Sequence, residues 1–344
     1  MKKCYLYKKL NSNKIQCQTC AHQCVILPNK KGICGIRANI DWELYLLTYG
    51  RAIAENVDPI EKKPFFHFLP GTRSLSVATI GCNFRCDNCQ NWDISQMPKQ
   101  MGLPAEAVAK AGAALPPKKI VKRAIENNCP SISYTYTEPT IFLEYALDTM
   151  KLAEENGLKN CWVSNGFMTG ETLEMIAPYL DAINVDLKFF DNKLYREHCG
   201  GRLQPILDNL KVIKKLGIWL EITTLVIPTL SDSEKMFKQI AEFIKTELGP
   251  ETPWHVSRFS GYLSWKLQNL PDTPTEKVET AYRIGKEAGL KYVYSGNIPL
   301  IGSENTFCPK CGVLNIERIG YHIKRHDKNG KCHQCGETLN LIPS

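Results

Sequence analysis

Three cysteines stand within eight residues in the stretch GCNFRCDNCQNW: Cys82, Cys86 and Cys89. The spacing C-x3-C-x2-C lets one loop wrap a single inorganic centre and supply three thiolates. A four-iron cluster needs a ligand at each iron. Three thiolates leave one iron open to a substrate or cofactor, as a catalytic zinc keeps an open position. The alternative is a zinc knuckle that draws its fourth ligand from elsewhere in the chain.

Two further groups of cysteines flank this loop. Cys308, Cys311, Cys332 and Cys335 form two C-x2-C pairs, each followed by glycine, a strong pattern for structural zinc. A tail of about 40 residues can hardly bury a core of its own, so metal binding would supply its folding energy. The other use of such a ribbon is nucleic-acid binding, for which Lys324, Arg325, Lys328 and Lys331 are the available cations. Near the start, Cys17, Cys20, Cys24 and Cys34 stand at C-x2-C-x3-C-x9-C. Zinc and an auxiliary iron–sulfur cluster both fit that spacing, and His22 is placed to replace one thiolate. The remaining Cys4, Cys129, Cys161 and Cys199 are scattered and expected to be small buried residues.

Fifteen cysteines in 344 residues fit a reducing compartment, where clustered thiols hold metals more often than disulfides. The opening MKKCYLYKKL has no apolar run of signal-peptide length, and no later run is long enough to span a bilayer. A soluble, cytoplasmic protein is the expectation. The formal net charge of +8 counts every cysteine as neutral. A zinc ion with four thiolates carries about −2, so two such sites remove about four charges and weaken the case for a nucleic-acid partner.

These groups need elements to place them. From about Ser74 to Asn297 the chain alternates strand-like and helix-like pieces. The strand candidates SLSVATIG, SISYTYTE, NCWVSNG, DAINVDLK, IWLEITTLVIP, PWHVSRFS and KYVYSGNI are rich in β-branched and aromatic residues. Between them, TIFLEYALDTMKLAEENG and DSEKMFKQIAEFIKTELG carry apolar residues at helical spacing and stop at glycine. Repeated βα units imply a parallel sheet with helices outside. No G-x-G-x-x-G follows the first strand, so a full or partial (β/α) barrel fits better than a dinucleotide-binding fold. Chemistry then belongs at the carboxyl ends of the strands. The cysteine loop follows the first strand, Glu138 ends the second, Asn165 the third, and Asp186 and Lys188 the fourth. His255 and Arg258 fall late in the sixth.

The cysteine loop in this position resembles that of the radical S-adenosylmethionine (radical SAM) enzymes. The segments DPIEKKPFFHFLPGTRSLSVATIGCNFRCDNCQNWDISQ and NVDLKFFDNKLY, the four early cysteines and the final NTFCPKCG…CHQCG resemble the radical SAM protein of the AmmeMemoRadiSam system, a relative of pyruvate formate-lyase activating enzymes. The resemblance covers essentially the whole chain. It implies an α/β fold with a partial (β/α)6 TIM-like barrel over 67–300, a small cysteine-rich domain over 1–66 and a zinc ribbon over 301–344. Cys82, Cys86 and Cys89 would then hold a [4Fe–4S] cluster that cleaves S-adenosylmethionine (SAM) to a 5′-deoxyadenosyl radical, which takes hydrogen from a substrate. A reduced flavodoxin or ferredoxin would supply the electron, and Memo-like and AMMECR-like proteins would be functional associates.

Carried over residue by residue, Glu138 matches the acidic residue of the family's Gly-Gly-Glu-Pro segment, which holds the SAM amino group. The two glycines are Tyr136 and Thr137 here. Asn88 replaces the usual aromatic before the third cysteine, with Trp92 nearby. Asp186 and Lys188 match the Asp-Leu-Lys motif, but Val163 stands where a cation-binding aspartate would be. Ser260 aligns with a histidine of some activating enzymes, which leaves His255 and Arg258 as the catalytic candidates. Each polar residue also has a structural reading. Glu138 can favour a helix start, Asn165 can be a turn residue, Asp186 and Lys188 can simply pair, and His255 can be a core histidine. Three rivals to a radical SAM oxidoreductase remain: a glycyl-radical activase, an electron carrier, and a non-enzymatic zinc protein that binds RNA.

Overall fold

The computed structural model describes residues 1–298 and 302–343. Its centre is an eight-stranded sheet in sequential order. The strands are β1 (Ala54–Pro59), β2 (Arg73–Ala78), β3 (Ser131–Tyr134), β4 (Lys159–Ser164), β5 (Ala182–Asp186), β6 (Trp219–Val226), β7 (Trp254–Arg258) and β8 (Val293–Gly296). From β2 to β8 all neighbours pair in parallel. All seven expected strands are present, and six βα connections join them. The edge strand β1 is antiparallel to β2. Its sequence, AENVDP, carries no strand pattern, and it comes from the stretch that the sequence assigns to the N-terminal domain.

Helices cover one face of the sheet. They include α1 (Pro117–Glu126), α2 (Leu143–Glu155), α3 (Gly170–Ile176), α4 (Leu203–Lys215), α5 (Glu234–Phe243) and α6 (Thr275–Glu287). Pro117 opens α1, where a missing N–H costs nothing, and Ile120, Val121 and Ala124 form its buried stripe. Ser233 caps α5 by accepting from the Met236 amide. The other face is covered differently. Ile60, Phe65, Phe68 and Leu69 pack on Cys161, Ala182, Val163 and Trp219. The segment between β1 and β2 thus lies across the inner face of the sheet, and the Pro64 carbonyl accepts from the Asn184 amide at 2.8 Å.

Residues 1–52 form small antiparallel sheets, among them Lys2–Lys3, Glu43–Leu46 and Arg37–Ile40 in one and Tyr7–Lys9, Ile15–Cys17 and Val25–Ile26 in another. The buried Arg37 guanidinium fixes this module to α2: it bonds Glu144 at 2.6 and 3.1 Å and the Ile141 carbonyl at 2.9 Å. A third small sheet, Thr306–Phe307, Leu314–Ile319 and His322–Arg325, carries the last cysteines. Ile342 lies beside Phe68 and ties this module to the inner segment. The boundary expected at 300/301 lies outside the described residues. Among the described residues, no helix is long and apolar enough to cross a membrane.

Candidate metal and cofactor centre

The Cys82–Cys89 loop leaves the carboxyl end of β2. Gly81 starts it at φ +89°, and a Cβ there would lie 2.5 Å from the Cys34 carbonyl oxygen, so only glycine fits. The Phe84 amide donates to Cys82 Sγ at 3.4 Å, and Ser95 Oγ lies 3.3 Å from Cys89 Sγ. The chain after β5 holds the loop from outside: Arg85 and Asp87 donate their amides to the carbonyls of Cys199 and His198. The Asp87 carboxylate takes His198 at 3.0 Å and Lys266 at 3.2 Å. From beneath, the Lys99 ammonium bonds the carbonyls of Cys82 and Phe84, each at 3.0 Å.

Burial pushes the thiols of Cys82 and Cys89 up, and the neighbouring Cys199 thiol, then burial, pushes Cys86 well up. Left alone these sulfurs keep their protons. A centre that binds thiolate is what reverses this. Three soft donors fixed by backbone, with a hydroxyl and an amide turned to two of them, fit an iron–sulfur cluster. Cys199 was expected to be an inert core residue, yet it lies against Cys86. No spacing rule reaches a residue more than a hundred positions away.

Asp186 ends β5 and bonds Lys188 at 2.8 Å. Burial works against the Lys188 charge, but Asp186, Cys86 and Cys199 outweigh it and hold the ammonium well above its usual range. Asp186 and Lys188 therefore pair, and they do so beside the cysteine loop. Asn165 follows β4 directly. It donates to Asn83 Oδ1 at 2.8 Å and accepts from the Phe167 amide at 3.0 Å, which fixes its orientation. It couples the end of β4 to the cysteine loop.

Glu138 is 3% exposed and caps the short helix Pro139–Phe142. Its Oε1 accepts from the amide and hydroxyl of Thr140 and from Ser164, and its Oε2 accepts from the Asn165 amide. It lies beyond β3, which stops at Tyr134, and the capping reading describes its side chain. Oε2 retains one acceptor site for a ligand. Tyr136 takes φ +63°, the left-handed conformation that a glycine adopts freely. Its hydroxyl bonds Asp58, and its carbonyl accepts from Asn91 at 2.9 Å.

One expectation is corrected. His255 is the second residue of β7, not late in it. It is buried against Glu221 at 2.7 Å, which itself accepts from the amides of Phe66 and His67. His255 thus packs with the inner segment, its ring centroid 4.7 Å from that of Phe66, and stands three residues short of the end of its strand. Arg258 does end β7, but it bonds the Thr273 carbonyl and Asp272. Ser260 likewise bonds Asp272. Val163 packs in the apolar cluster of Phe65 and Phe68. Asn88 and Trp92 are both half-buried.

The flanking cysteines differ from each other. Among the described residues, Cys308, Cys311, Cys332 and Cys335 are the group whose ligand atoms all lie within 4.8 Å. Cys308–Cys335 and Cys311–Cys332 are each 3.6 Å apart. These four can hold one metal ion. Cys17, Cys20, Cys24 and Cys34 instead line one cavity, together with His22, Arg37 and Asn83.

Comparison with known proteins follows the same geometry. The model of the radical SAM superfamily matches residues 76–244, which contain the cysteine loop, Glu138, Asn165, Asp186 and Lys188. An uncharacterized protein of Methanocaldococcus jannaschii is 42% identical over 345 residues, covering 99% of this chain and all of its own. The pyruvate formate-lyase-activating enzyme of Clostridium pasteurianum is 26% identical over 226 residues, covering 63% of this chain and 92% of its own. Among solved structures, Streptococcus suis SuiB bound to its precursor peptide aligns with a TM-score of 0.49 and 18% identity, over 71% of this chain and 52% of that one.

Proposed function

The chain belongs to the radical SAM superfamily, and from that premise we propose that it is an oxidoreductase that cleaves SAM reductively at Cys82, Cys86 and Cys89. The observation that carries the reading is the three-cysteine loop, fixed at the end of β2 inside the matched region. Cys82, Cys86 and Cys89 would hold a [4Fe–4S] cluster, which would supply one-electron reductive cleavage of SAM and so the means to abstract hydrogen from substrate. The chain's own residues do the rest. Lys188 offsets thiolate charge beside Cys86, and Asp186 holds Lys188 in place. Glu138 and Asn165 shape the next strand ends. The inner segment from Ile60 to Leu69 closes the sheet's inner face and excludes water from it.

In this reading the sheet is a partial (β/α)6 barrel, a flavodoxin or ferredoxin is the electron donor, and the protein is cytoplasmic. It belongs to the AmmeMemoRadiSam system with Memo-like and AMMECR-like associates. The ribbon holds zinc, since a tetrahedron with zinc–sulfur bonds of about 2.3 Å places its sulfurs about 3.8 Å apart. A second reading, a glycyl-radical activase, is favoured by the C. pasteurianum relative. The RNA-binding reading loses one of its cations, because Arg325 is paired with Asp327 at 2.8 and 2.9 Å.

The test is anaerobic reconstitution, addition of SAM and dithionite, and mass spectrometry of 5′-deoxyadenosine and methionine. Both products are expected, and both vanish in Cys82→Ala/Cys86→Ala/Cys89→Ala. Iron-loaded protein that makes neither product overturns the proposal. A glycyl radical raised on a co-purified partner enzyme would select the activase.

A further inference from the structure

The molecule contains three cysteine groups in two geometries. In the C-terminal module the four ligand atoms lie within 4.8 Å, with pairs at 3.6 Å. That is the separation a single tetrahedral ion imposes. The Cys82, Cys86 and Cys89 sulfurs are not gathered so closely, which fits a centre larger than one ion, in which irons and sulfides would separate the thiolates. This group is an internal standard for an iron–sulfur site. Cys17, Cys20, Cys24 and Cys34 fall with it. They converge on one cavity, yet they are not drawn within the 4.8 Å of the ribbon.

A second observation points to the same occupant. Asn83 lines this cavity, and its Nδ2 is buried without a partner. The orientation of that amide is fixed, because Asn83 Oδ1 accepts from Asn165, whose own oxygen accepts from the Phe167 amide. An orphaned buried donor costs about 1–3 kcal/mol. Sulfide and metal-bound cysteinyl sulfur are both acceptors, as Cys332 Sγ is for the Asn315 amide at 3.5 Å in the ribbon, so the orphaned amide marks a sulfur-bound centre and the wide spacing of the sulfurs marks its size.

We propose that Cys17, Cys20, Cys24 and Cys34 hold an iron–sulfur cluster, and that Asn83 donates a hydrogen bond to it. The site adjoins the Cys82 loop. Asn83 follows Cys82 directly, the Cys34 carbonyl packs on Gly81, and the Lys99 stem runs past Gly35 to the carbonyls of Cys82 and Phe84. Four thiolates leave no open position for substrate, so the cluster's chemistry is electron carriage. One electron enters from a low-potential one-electron donor protein and one leaves to the centre at Cys82, so the second cluster ends each cycle unchanged. The comparison with the Cys82 group and this last clause both rest on the function proposed above.

The test uses the full chain with Cys82→Ala/Cys86→Ala/Cys89→Ala, reconstituted anaerobically. Iron that remains there belongs to the N-terminal site. Metal analysis is expected to give about four irons per chain beside the ribbon's zinc, with a reduced-cluster signal in electron paramagnetic resonance. Zinc in place of that iron, or an empty site, overturns the proposal. Adding Cys17→Ser/Cys20→Ser should remove the remaining iron; unchanged iron overturns it. Should that chain fail to fold, Cys24→Ser, at the half-exposed ligand, should alter the resonance, and an unaltered spectrum overturns it. Asn83→Ala should shift the cluster's potential without changing the iron count. The two proposals fail separately: SAM cleavage by a protein with one cluster's iron sinks only this one, and iron in the triple variant without SAM cleavage by the parent sinks only the other.

Discussion

Both ends of the central sheet bury charged groups, but they arrange them differently. Under the sheet every charge is bound by protein. Glu221 accepts from the amides of Phe66 and His67, from the Trp219 indole and from His255. Arg318 bonds the carbonyls of Phe66 and Glu304 and the Thr306 hydroxyl. At the mouth, Lys188 has one carboxylate partner and otherwise faces thiols. A network of protein partners, which leaves Arg318 Nε and Glu61 Oε2 unmatched, holds an inner segment and a terminal module in place. A cation left among sulfurs is what a metal centre needs. Type and burial alone do not separate His255 from Lys188; their partners do.

The largest expected effect lies under the sheet. Glu221→Gln leaves His255 and two buried amides poorly matched, and should cost about 3–5 kcal/mol in denaturant unfolding. SAM cleavage per folded, iron-loaded molecule should stay near the parent value. A stable variant that loses cleavage would move Glu221 and His255 from the frame to the chemistry.

Acid should reach the same network next. His67 lies between the Asn340 carbonyl and the Tyr294 hydroxyl, so Nδ1 donates and Nε2 accepts from the tyrosine. Burial holds its pKa down to about 4, from 6.5 when free. Between those values the unfolded chain takes up a proton that the folded chain refuses. Its contribution is full above about pH 6.5 and is lost as pH falls towards 4, of the order of 3 kcal/mol. Melting temperature should drop over that window, and His67→Gln should flatten the drop. An equal drop in the variant would mean that other groups carry it.

At the mouth the effect should be on rate. Lys188→Met removes a cation beside Cys86 but frees only Asp186, which reaches solvent. It should cost about 10–100-fold in 5′-deoxyadenosine formation, as lost partners of metal ligands typically do. Stability should shift by less than about 1 kcal/mol. If the two ends of the sheet were built alike, the losses would be reversed.

Much of this was legible in the sequence, and the exceptions have physical causes. The strands β2 to β8 were plain because Val, Ile and aromatic runs such as SLSVATIG and IWLEITTLVIP face packed layers on both sides. The helices ending at Gly157 and Gly249 were equally plain, since both glycines take positive φ. Edge strand β1 was not, because AENVDP has the polar composition of a strand paired on one side only. The spacing of the cysteines named the three groups but could not size them, since local spacing does not fix how far apart the sulfurs finish. His255 was placed a few residues too far along its strand, and its partner Glu221 sits on the neighbouring strand, where no one-dimensional pattern links them. Lys63 was missed altogether. It is 2% exposed, bonded to Asp58 and pushed down to about 8 by burial, in a segment, EKKP, that looks like solvated surface.

The smallest effect concerns the tyrosine beside that lysine. Tyr136 keeps a left-handed backbone that costs a non-glycine residue about 1–2 kcal/mol. Its hydroxyl on Asp58 and its ring 4.3 Å from the Lys63 ammonium offset that strain. Two substitutions separate the parts. Tyr136→Phe keeps the strain and the ring but loses the hydrogen bond, and should cost about 1–2 kcal/mol. Tyr136→Gly loses both contacts, yet it also releases the strain and gives back some of the gain as extra freedom in the unfolded chain. It should therefore be less destabilising than Tyr136→Phe, although it removes far more of the side chain. The reverse order in chemical denaturation would show that the contacts, and not the backbone, decide this position. The left-handed turn would then be a consequence of the tyrosine rather than a shape that the mouth of the sheet demands.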